Sequence, residues 1–121
     1  MELTGIRQEV FLDRYALKNE DGKPMEKTPE EMWRRVAFAI AAADNKQQTT
    51  NNNKLEQLFY DLMKDFKFVP GGRILSGAGT GSQVTFYNCF VIPSPHDSRG
   101  GILKSLEIMV EIMARGGGVG L

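Results

Sequence analysis

Apolar positions recur every three to four residues in three parts of the chain, which is the spacing of one buried helix face. The strongest pattern follows Thr28, where a capping box with proline at the first helical position predicts a helix that runs to about Ala43. Its apolar face is predicted to contain Met32, Trp33, Val36, Ala37, Ile40 and Ala41. Arg34 and Arg35 are expected to lie towards another face.

A second helix is predicted to start after a cap at Asn52 or Asn53 and to end before Pro70–Gly72. Its predicted apolar positions are Leu55, Leu58, Phe59, Leu62 and Phe66. The polar tract Asp44–Asn53 between the two helices has no apolar residue to bury, so we expect an exposed connection. Earlier in the chain, the apolar segment Val10–Leu17 predicts one or two helical turns.

The most strand-like stretch is Thr85–Pro93, which is rich in β-branched and aromatic residues and contains Cys89. No second strand is evident to pair with it, although a single strand cannot satisfy its own backbone. A third helix is predicted after a cap at Asp97 or Ser98, and it ends at Arg115–Gly116. One side of this helix is predicted to carry Ile102, Leu106, Met109, Val110 and Met113.

Glycine-rich segments lie on both sides of the cysteine strand in the sequence. The segment 73–81 has too many glycines for a packed element, and its spacing fits neither a dinucleotide fingerprint nor a phosphate loop. Arg73 in this segment is either a phosphate ligand or an ordinary surface or structural charge. Cys89 is either a small buried hydrophobe, the common role of a lone strand cysteine, or a thiol presented to a ligand. Both alternatives stay open at this point.

Composition excludes several classes of protein. The 121 residues include 15 Lys and Arg against 15 Asp and Glu, and this neutral balance argues against non-specific nucleic-acid binding. One cysteine cannot form an internal disulfide, and the first residues do not resemble a signal peptide, so we expect a cytoplasmic protein. No apolar stretch approaches the roughly 20 residues of a membrane span. With His96 as the single histidine, we expect no metal site.

Several motifs, taken together, resemble a known enzyme family. They are Phe11–Tyr15, Pro29–Ala37, Phe68–Thr80, Tyr87–Val91, Asp97–Ile102 and Met113–Leu121. In this order they closely resemble the amino-terminal part of class II ribonucleotide reductases, the adenosylcobalamin-dependent type. The resemblance covers nearly the whole chain except the Asn-rich tract.

The resemblance implies a fold that is mainly α with a little β. A helical N-terminal region would occupy residues 1–69, and residues 70–121 would supply the first strand and helix of an incomplete ten-stranded α/β barrel. The thiyl-radical cysteine and the second reducing cysteine of the family would lie beyond Leu121, in a remaining C-terminal reductase chain. We therefore expect a truncated, split or intein-interrupted product that is inactive alone.

The resemblance also implies roles for individual residues. Cys89 matches one of the two reducing cysteines of the family, and Asn88 would lie beside the ribonucleotide substrate. Further substrate contacts are implied for Gly72, Arg73, Ser76, Gly117 and Gly118. Asp97 and Ser98 match the start of the region that binds a deoxynucleotide effector. Dimeric members place the helix from Ile102 near the subunit interface, which implies a homodimer.

The complete enzyme would use adenosylcobalamin and a thioredoxin-like reductant, but no motif in this chain is expected to bind the cobalamin. Two competing interpretations remain. One is a stand-alone helical module that binds a nucleotide or another protein without catalysis, and the other is a purely structural helical domain with Cys89 in its core. Tight binding of a deoxynucleoside triphosphate by the chain alone would favour the module, whereas exposed apolar surface would favour part of a larger enzyme.

Overall fold

The computed structural model describes residues 3–44 and 49–121, and within them the fold is mainly helical. The helices are α1 (Ile6–Arg14), α2 (Pro29–Asp44), α3 (Thr49–Met63), α4 (Gly72–Gly77) and α5 (Arg99–Ala114). Two short strands, β1 (Cys89–Val91) and β2 (Gly118–Gly120), form a parallel sheet. The prediction of a mainly α fold with a little β is confirmed. None of the described helices is long and apolar enough to cross a membrane.

The chain divides into two compact units, residues 1–84 and residues 85–121. The first unit holds α1 to α4, and the second holds β1, α5 and β2. The resemblance implied a different boundary, between residues 69 and 70. There the helical region of the whole enzyme would end and its barrel would begin. That boundary and the ten-stranded barrel stay predictions.

Helix α2 is the centre of the first unit's core. Its start is the predicted capping box, because the Glu31 carboxylate accepts the backbone N–H groups of Lys27 at 2.6 Å and Thr28 at 3.1 Å. The predicted apolar face is confirmed, with Ile40 half-buried and the other five side chains buried. The core residues from other segments are Phe11, Ala16, Tyr60, Met63, Leu75 and Ala78.

Helix α3 differs from its prediction at both ends. It begins at Thr49 rather than after Asn52 or Asn53, and it ends at Met63, before a short 3-10 turn at Lys64–Phe66. The prediction of a connection is therefore wrong for residues 49–53, although Asn53 is exposed as predicted, and residues 45–48 lie outside the described part. Because α3 as a whole packs against α2, the helix is already formed, and extending a formed helix through Asn and Thr residues costs little. Its buried side chains are Tyr60 and Met63, whereas Leu58 and Leu62 are about half exposed.

Helix α4 corrects the expectation that the glycine-rich segment is not a packed element. It occupies Gly72–Gly77, and Leu75 is 6% exposed within it. Ala78, directly after the helix, is 1% exposed. The segment is ordered because these two apolar side chains reach the core. Gly72 and Gly77 destabilise the helix little, because they are its first and last residues and lie outside its interior.

The second unit is built on a strand–helix–strand connection. β1 pairs in parallel with β2, in the register Cys89 to Gly118, Phe90 to Val119 and Val91 to Gly120. The expectation that no second strand pairs with the cysteine strand is therefore wrong, and β1 is also shorter than Thr85–Pro93. β2 has three residues, two of them glycine, so it has little β propensity and no alternation of apolar and polar side chains. The sequence pattern therefore does not reveal it.

Helix α5 has the predicted ends. The Ser98 hydroxyl accepts the backbone N–H of Gly101 at 3.0 Å, which is an N-cap. After Ala114 the chain turns through Gly116, whose φ is 77°, and the N–H of Gly117 donates to the carbonyl of Ile112 at 3.0 Å. The predicted apolar side is largely exposed in the described chain, with Ile102, Leu106, Val110 and Met113 each more than half exposed.

Candidate functional site

The thiol of Cys89 is exposed at the start of β1. The interpretation of this cysteine as a small buried hydrophobe is wrong, and with it the purely structural domain that required Cys89 in the core. Its register partner is Gly118, and a Cβ built on Gly118 would lie 3.3 Å from Sγ. Because any larger residue at position 118 would stand directly against the sulfur, glycine leaves that side of the thiol open.

Backbone hydrogen bonds fix the thiol against the second strand. The N–H of Gly118 donates to the carbonyl of Asn88 at 2.8 Å, and the N–H of Ile92 donates to the carbonyl of Gly120 at 3.0 Å. Asn88 is itself exposed. The second unit therefore brings together three residues that the sequence predicted to be near a substrate: Asn88, Cys89 and Gly118.

Gly117 is buried and serves packing. A Cβ built on it would lie 2.7 Å from Cγ2 of Ile112 and 3.0 Å from Cε2 of Phe90. Its lack of a side chain lets the end of α5 lie close to β1, which holds the sheet and the helix together. Contact between Gly117 and a substrate stays a prediction.

Asp97 and Ser98 are exposed at the start of α5. The Ser98 hydroxyl is already the acceptor of the N-cap bond, and the turn before it is tight, because a Cβ on Gly101 would lie 2.5 Å from the carbonyl oxygen of His96. His96 is an exposed residue of this turn. Within the described residues, no group of three or more His, Cys, Asp or Glu side chains could hold a metal ion.

The other predicted substrate residues lie in the first unit, on α4. Gly72 and Ser76 are exposed, and Arg73 is half-buried. They share one helix of six residues, with Arg73 and Ser76 one turn apart. The ring of Tyr15 lies beside the first residue of the helix, since a Cβ built on Gly72 would be 3.6 Å from Cε1 and 3.7 Å from the hydroxyl of Tyr15.

A buried ion pair next to α4 was missed by the sequence analysis. Arg35, predicted to lie towards a polar face of α2, has a side chain only 8% exposed and pairs with Glu26 at 2.7 Å. Nothing in the spacing of Glu26 indicates this pairing, because it lies in a turn region without periodicity. The neighbouring Arg34 is exposed, as predicted, and its guanidinium lies 4.4 Å from the centre of the Tyr60 ring.

Comparison with known proteins agrees with this architecture. A family model for the ribonucleotide reductase all-alpha domain matches residues 1–83. Vitamin B12-dependent ribonucleoside-diphosphate reductases from Mycobacterium tuberculosis strains CDC 1551 / Oshkosh and ATCC 25618 / H37Rv are each 32% identical over 127 aligned positions. These alignments cover 98% of this chain but only 18% of each relative, so the chain spans less than a fifth of their length. The chain belongs to the ribonucleotide reductase family, and residues 1–83 are its all-alpha domain.

Proposed function

We propose that this chain is the N-terminal part of a vitamin B12-dependent ribonucleotide reductase, which converts ribonucleotides to deoxyribonucleotides. The match to the family's all-alpha domain and the similarity to vitamin B12-dependent relatives along nearly the whole chain support this. The names of those relatives favour a ribonucleoside diphosphate as the substrate. The chain would act together with a remaining C-terminal reductase chain and be inactive alone.

Cys89 would be one of two reducing thiols. In the net reaction two thiols lose two protons and two electrons and join as a disulfide, while the ribose 2′-hydroxyl leaves as water and a C–H bond replaces the C–O bond. This chain has one cysteine, so the second thiol would come from the remaining chain. The observation that carries the role is the exposed Sγ opposite Gly118, on a strand fixed by the sheet.

The other predicted residues would bind the substrate and the effector. The Arg73 guanidinium and the Ser76 hydroxyl are donors suited to phosphate oxygens, and Gly72 lets the backbone approach them. Asn88 would contact the ribonucleotide beside the thiol, where Gly118 keeps the surface next to the sulfur free of side chains. Gly117 would let the backbone approach the substrate. Asp97 and Ser98 would begin the site for a deoxynucleotide effector.

The dependence of the relatives on vitamin B12 supports cobalamin as the cofactor of the complete enzyme. We propose that its adenosyl form is the radical source. We propose that the cobalamin binds to the remaining polypeptide rather than to this chain, whose single histidine, His96, lies in an exposed turn. A thioredoxin-like protein would reduce the disulfide, the enzyme would be cytoplasmic, and a homodimer interface would lie near α5.

The test of the proposal is the Cys89→Ser variant, combined with the remaining reductase polypeptide and assayed for vitamin B12-dependent reduction of a ribonucleoside diphosphate. Multiple turnover should fall by more than about 100-fold, because the reducing disulfide cannot form. Substrate affinity should change little. Val91→Ala, an exposed residue two positions along the same strand, is the matched control and should keep its activity.

Multiple turnover by Cys89→Ser would show that Cys89 is not a reducing thiol. A different result would favour the module without catalysis: tight binding of a deoxynucleoside triphosphate by this chain alone, with no reductase activity when the remaining polypeptide is added.

A further inference from the structure

We propose that Arg35 is a positioning residue for the substrate-phosphate segment of the reductase, because it holds the C-terminal end of α4 directly and its N-terminal end through Tyr15. The inference rests on the proposed function, in which Gly72, Arg73 and Ser76 of α4 contact the substrate phosphate. Arg35 lies on α2, and it donates hydrogen bonds to backbone carbonyls of α4 and of the residue that follows it. It would act through the backbone that carries these three residues.

The first set of contacts fixes the C-terminal end of α4. One Nη of Arg35 donates to the carbonyl oxygen of Leu75 at 3.0 Å, and the other donates to the carbonyl of Ala78. The last carbonyls of a helix have no partner within the helix, and a positive charge there also complements the helix dipole. A single side chain therefore satisfies two acceptors at the point where α4 ends.

The second set of contacts reaches the opposite end of α4. Arg35 Nη2 donates to the carbonyl oxygen of Tyr15 at 3.1 Å, and the ring of Tyr15 lies beside Gly72, the first residue of α4. The position of Tyr15 therefore depends on the same guanidinium that holds the carbonyls of Leu75 and Ala78.

Glu26 fixes the direction of the guanidinium. Its two carboxylate oxygens accept Nε of Arg35 at 2.7 Å and Nη2 at 3.0 Å, a bidentate pair, and Oε2 also accepts the N–H of Leu17 at 2.9 Å. The pair is nearly fully buried, with side chains 8% and 9% exposed. Lysine would keep the charge but has a single nitrogen, so it cannot contact Glu26, Tyr15 and the end of α4 in the same fork geometry.

The experiment uses Arg35→Lys with two readouts. Amide hydrogen exchange across residues 72–78 of the full chain should become faster, while exchange in α3 changes little. In the chain combined with the remaining reductase polypeptide, KM and the dissociation constant for the nucleotide should rise roughly tenfold with kcat within about twofold, as expected for lost binding in the ground and transition states alike.

Two control variants separate positioning from general stability. Arg34→Lys makes the same chemical change one residue earlier, at a side chain that stacks on Tyr60, and it should leave KM unchanged. Val36→Ala removes buried atoms from the same helix and should lower stability without raising KM. If Arg35→Lys does not fold, Tyr15→Ala removes the ring beside Gly72 and should raise KM in the same way.

Arg73→Gln, measured in parallel, distinguishes a failure of the positioning role of Arg35 from a failure of the proposed phosphate contact. A raised KM for Arg73→Gln, together with unchanged α4 exchange and unchanged KM for Arg35→Lys, would overturn the positioning role alone. An unchanged KM for Arg73→Gln and Arg35→Lys alike would overturn the proposed phosphate contact, and the positioning role with it. An equal rise in KM for Val36→Ala would also overturn positioning, because KM would then follow general stability.

Discussion

Gly79 and Gly81 have nearly the same backbone conformation but different surroundings. Their φ angles are 75° and 77°, in the left-handed region that side chains rarely adopt. A Cβ on Gly79 would lie 2.9 Å from Cγ of Arg35 and 3.2 Å from its carbonyl oxygen, whereas a Cβ on Gly81 would meet nothing within 4 Å. The two positions therefore separate the cost of the backbone conformation from the cost of the contacts with Arg35 and Ala39.

We expect Gly81→Ala to lower the free energy of unfolding by about 1–2 kcal/mol, the usual cost of the left-handed conformation. Gly79→Ala should cost a further 1–3 kcal/mol or so, because the added methyl group displaces the stem of Arg35. Urea denaturation of the two variants measures the difference. Equal losses would mean that Arg35 moves aside at little cost, which is inconsistent with its role as a positioning residue for α4.

The exposure of Cys89 can be tested without any reductase assay. The folded chain should react with a thiol reagent such as iodoacetamide about as fast as the chain in urea, because the sulfur is exposed. Gly118→Val should slow this reaction, since a Cβ at position 118 lies 3.3 Å from Sγ. Gly120→Val, on the same strand with open space around it, is the control and should react like the unmodified chain. Strong protection of Cys89 in the unmodified chain would contradict the site geometry.

At the scale of elements, the sequence predicted the helices that combine a long run of apolar residues at helical spacing with a cap. α2 has the Thr28–Glu31 box before a sustained apolar face, and α5 has Ser98 at its start and Gly116 after its end. In α2 the cap and the burial of the apolar face favour the same structure, whereas in α5 the Ser98 cap and the turn at Gly116 mark the ends without burial. Local chemistry at both ends is why each helix begins and ends where it was expected.

The elements that were missed depend on contacts far along the chain. α4 and β2 are short and glycine-rich, and each is ordered by its partners: Leu75 and Ala78 reach the core, and β2 takes its register from β1. The hydrogen-bond partners of Arg35 could not be predicted for the same reason, since four of them belong to residues 9 to 43 positions away in the sequence. For the candidate site, the sequence predicted residues whose roles stay predictions, and it did not reveal the packing that orients them.

The capping box gives α2 a pH-dependent contribution to stability. The backbone N–H groups of Lys27 and Thr28 hold the pKa of Glu31 below its usual value of 4.5. A carboxyl with a lowered folded-state pKa stabilises the fold above its unfolded-state pKa, and the contribution is lost as the pH falls through the lowered value.

Glu31→Gln should therefore destabilise the chain near neutral pH by roughly 0.5 kcal/mol or less, since the carboxylate is exposed and solvent screens it. The difference between the variant and the unmodified chain should shrink in acid, as the carboxyl of the unmodified chain becomes protonated. Urea denaturation at a series of pH values measures this. A difference that stays constant from neutral to acidic pH would show that the charge of Glu31 contributes nothing to the cap.

At the scale of the whole molecule, burial is unevenly divided between the two units. The core cluster belongs to the first unit, where Trp33, Val36 and Ala37 are at most 1% exposed. In the second unit, the buried residues among those described are Ile92 and Gly117, and the apolar side of α5 is exposed. Since apolar burial is the main source of stability, the two units should open with different free energies.

We expect hydrogen exchange of the chain alone to be at least about tenfold slower in the middle of α2 than in α5, a difference of about 1.4 kcal/mol or more in opening free energy. Adding the remaining reductase polypeptide should slow exchange in α5 while changing α2 little, because a covering partner protects the exposed apolar side. Exchange measured at several chain concentrations is the control for self-association. Equal protection of α2 and α5 in the dilute chain would mean that the second unit is stable without a partner, and the proposal that the chain acts only as part of a larger enzyme would lose its structural support.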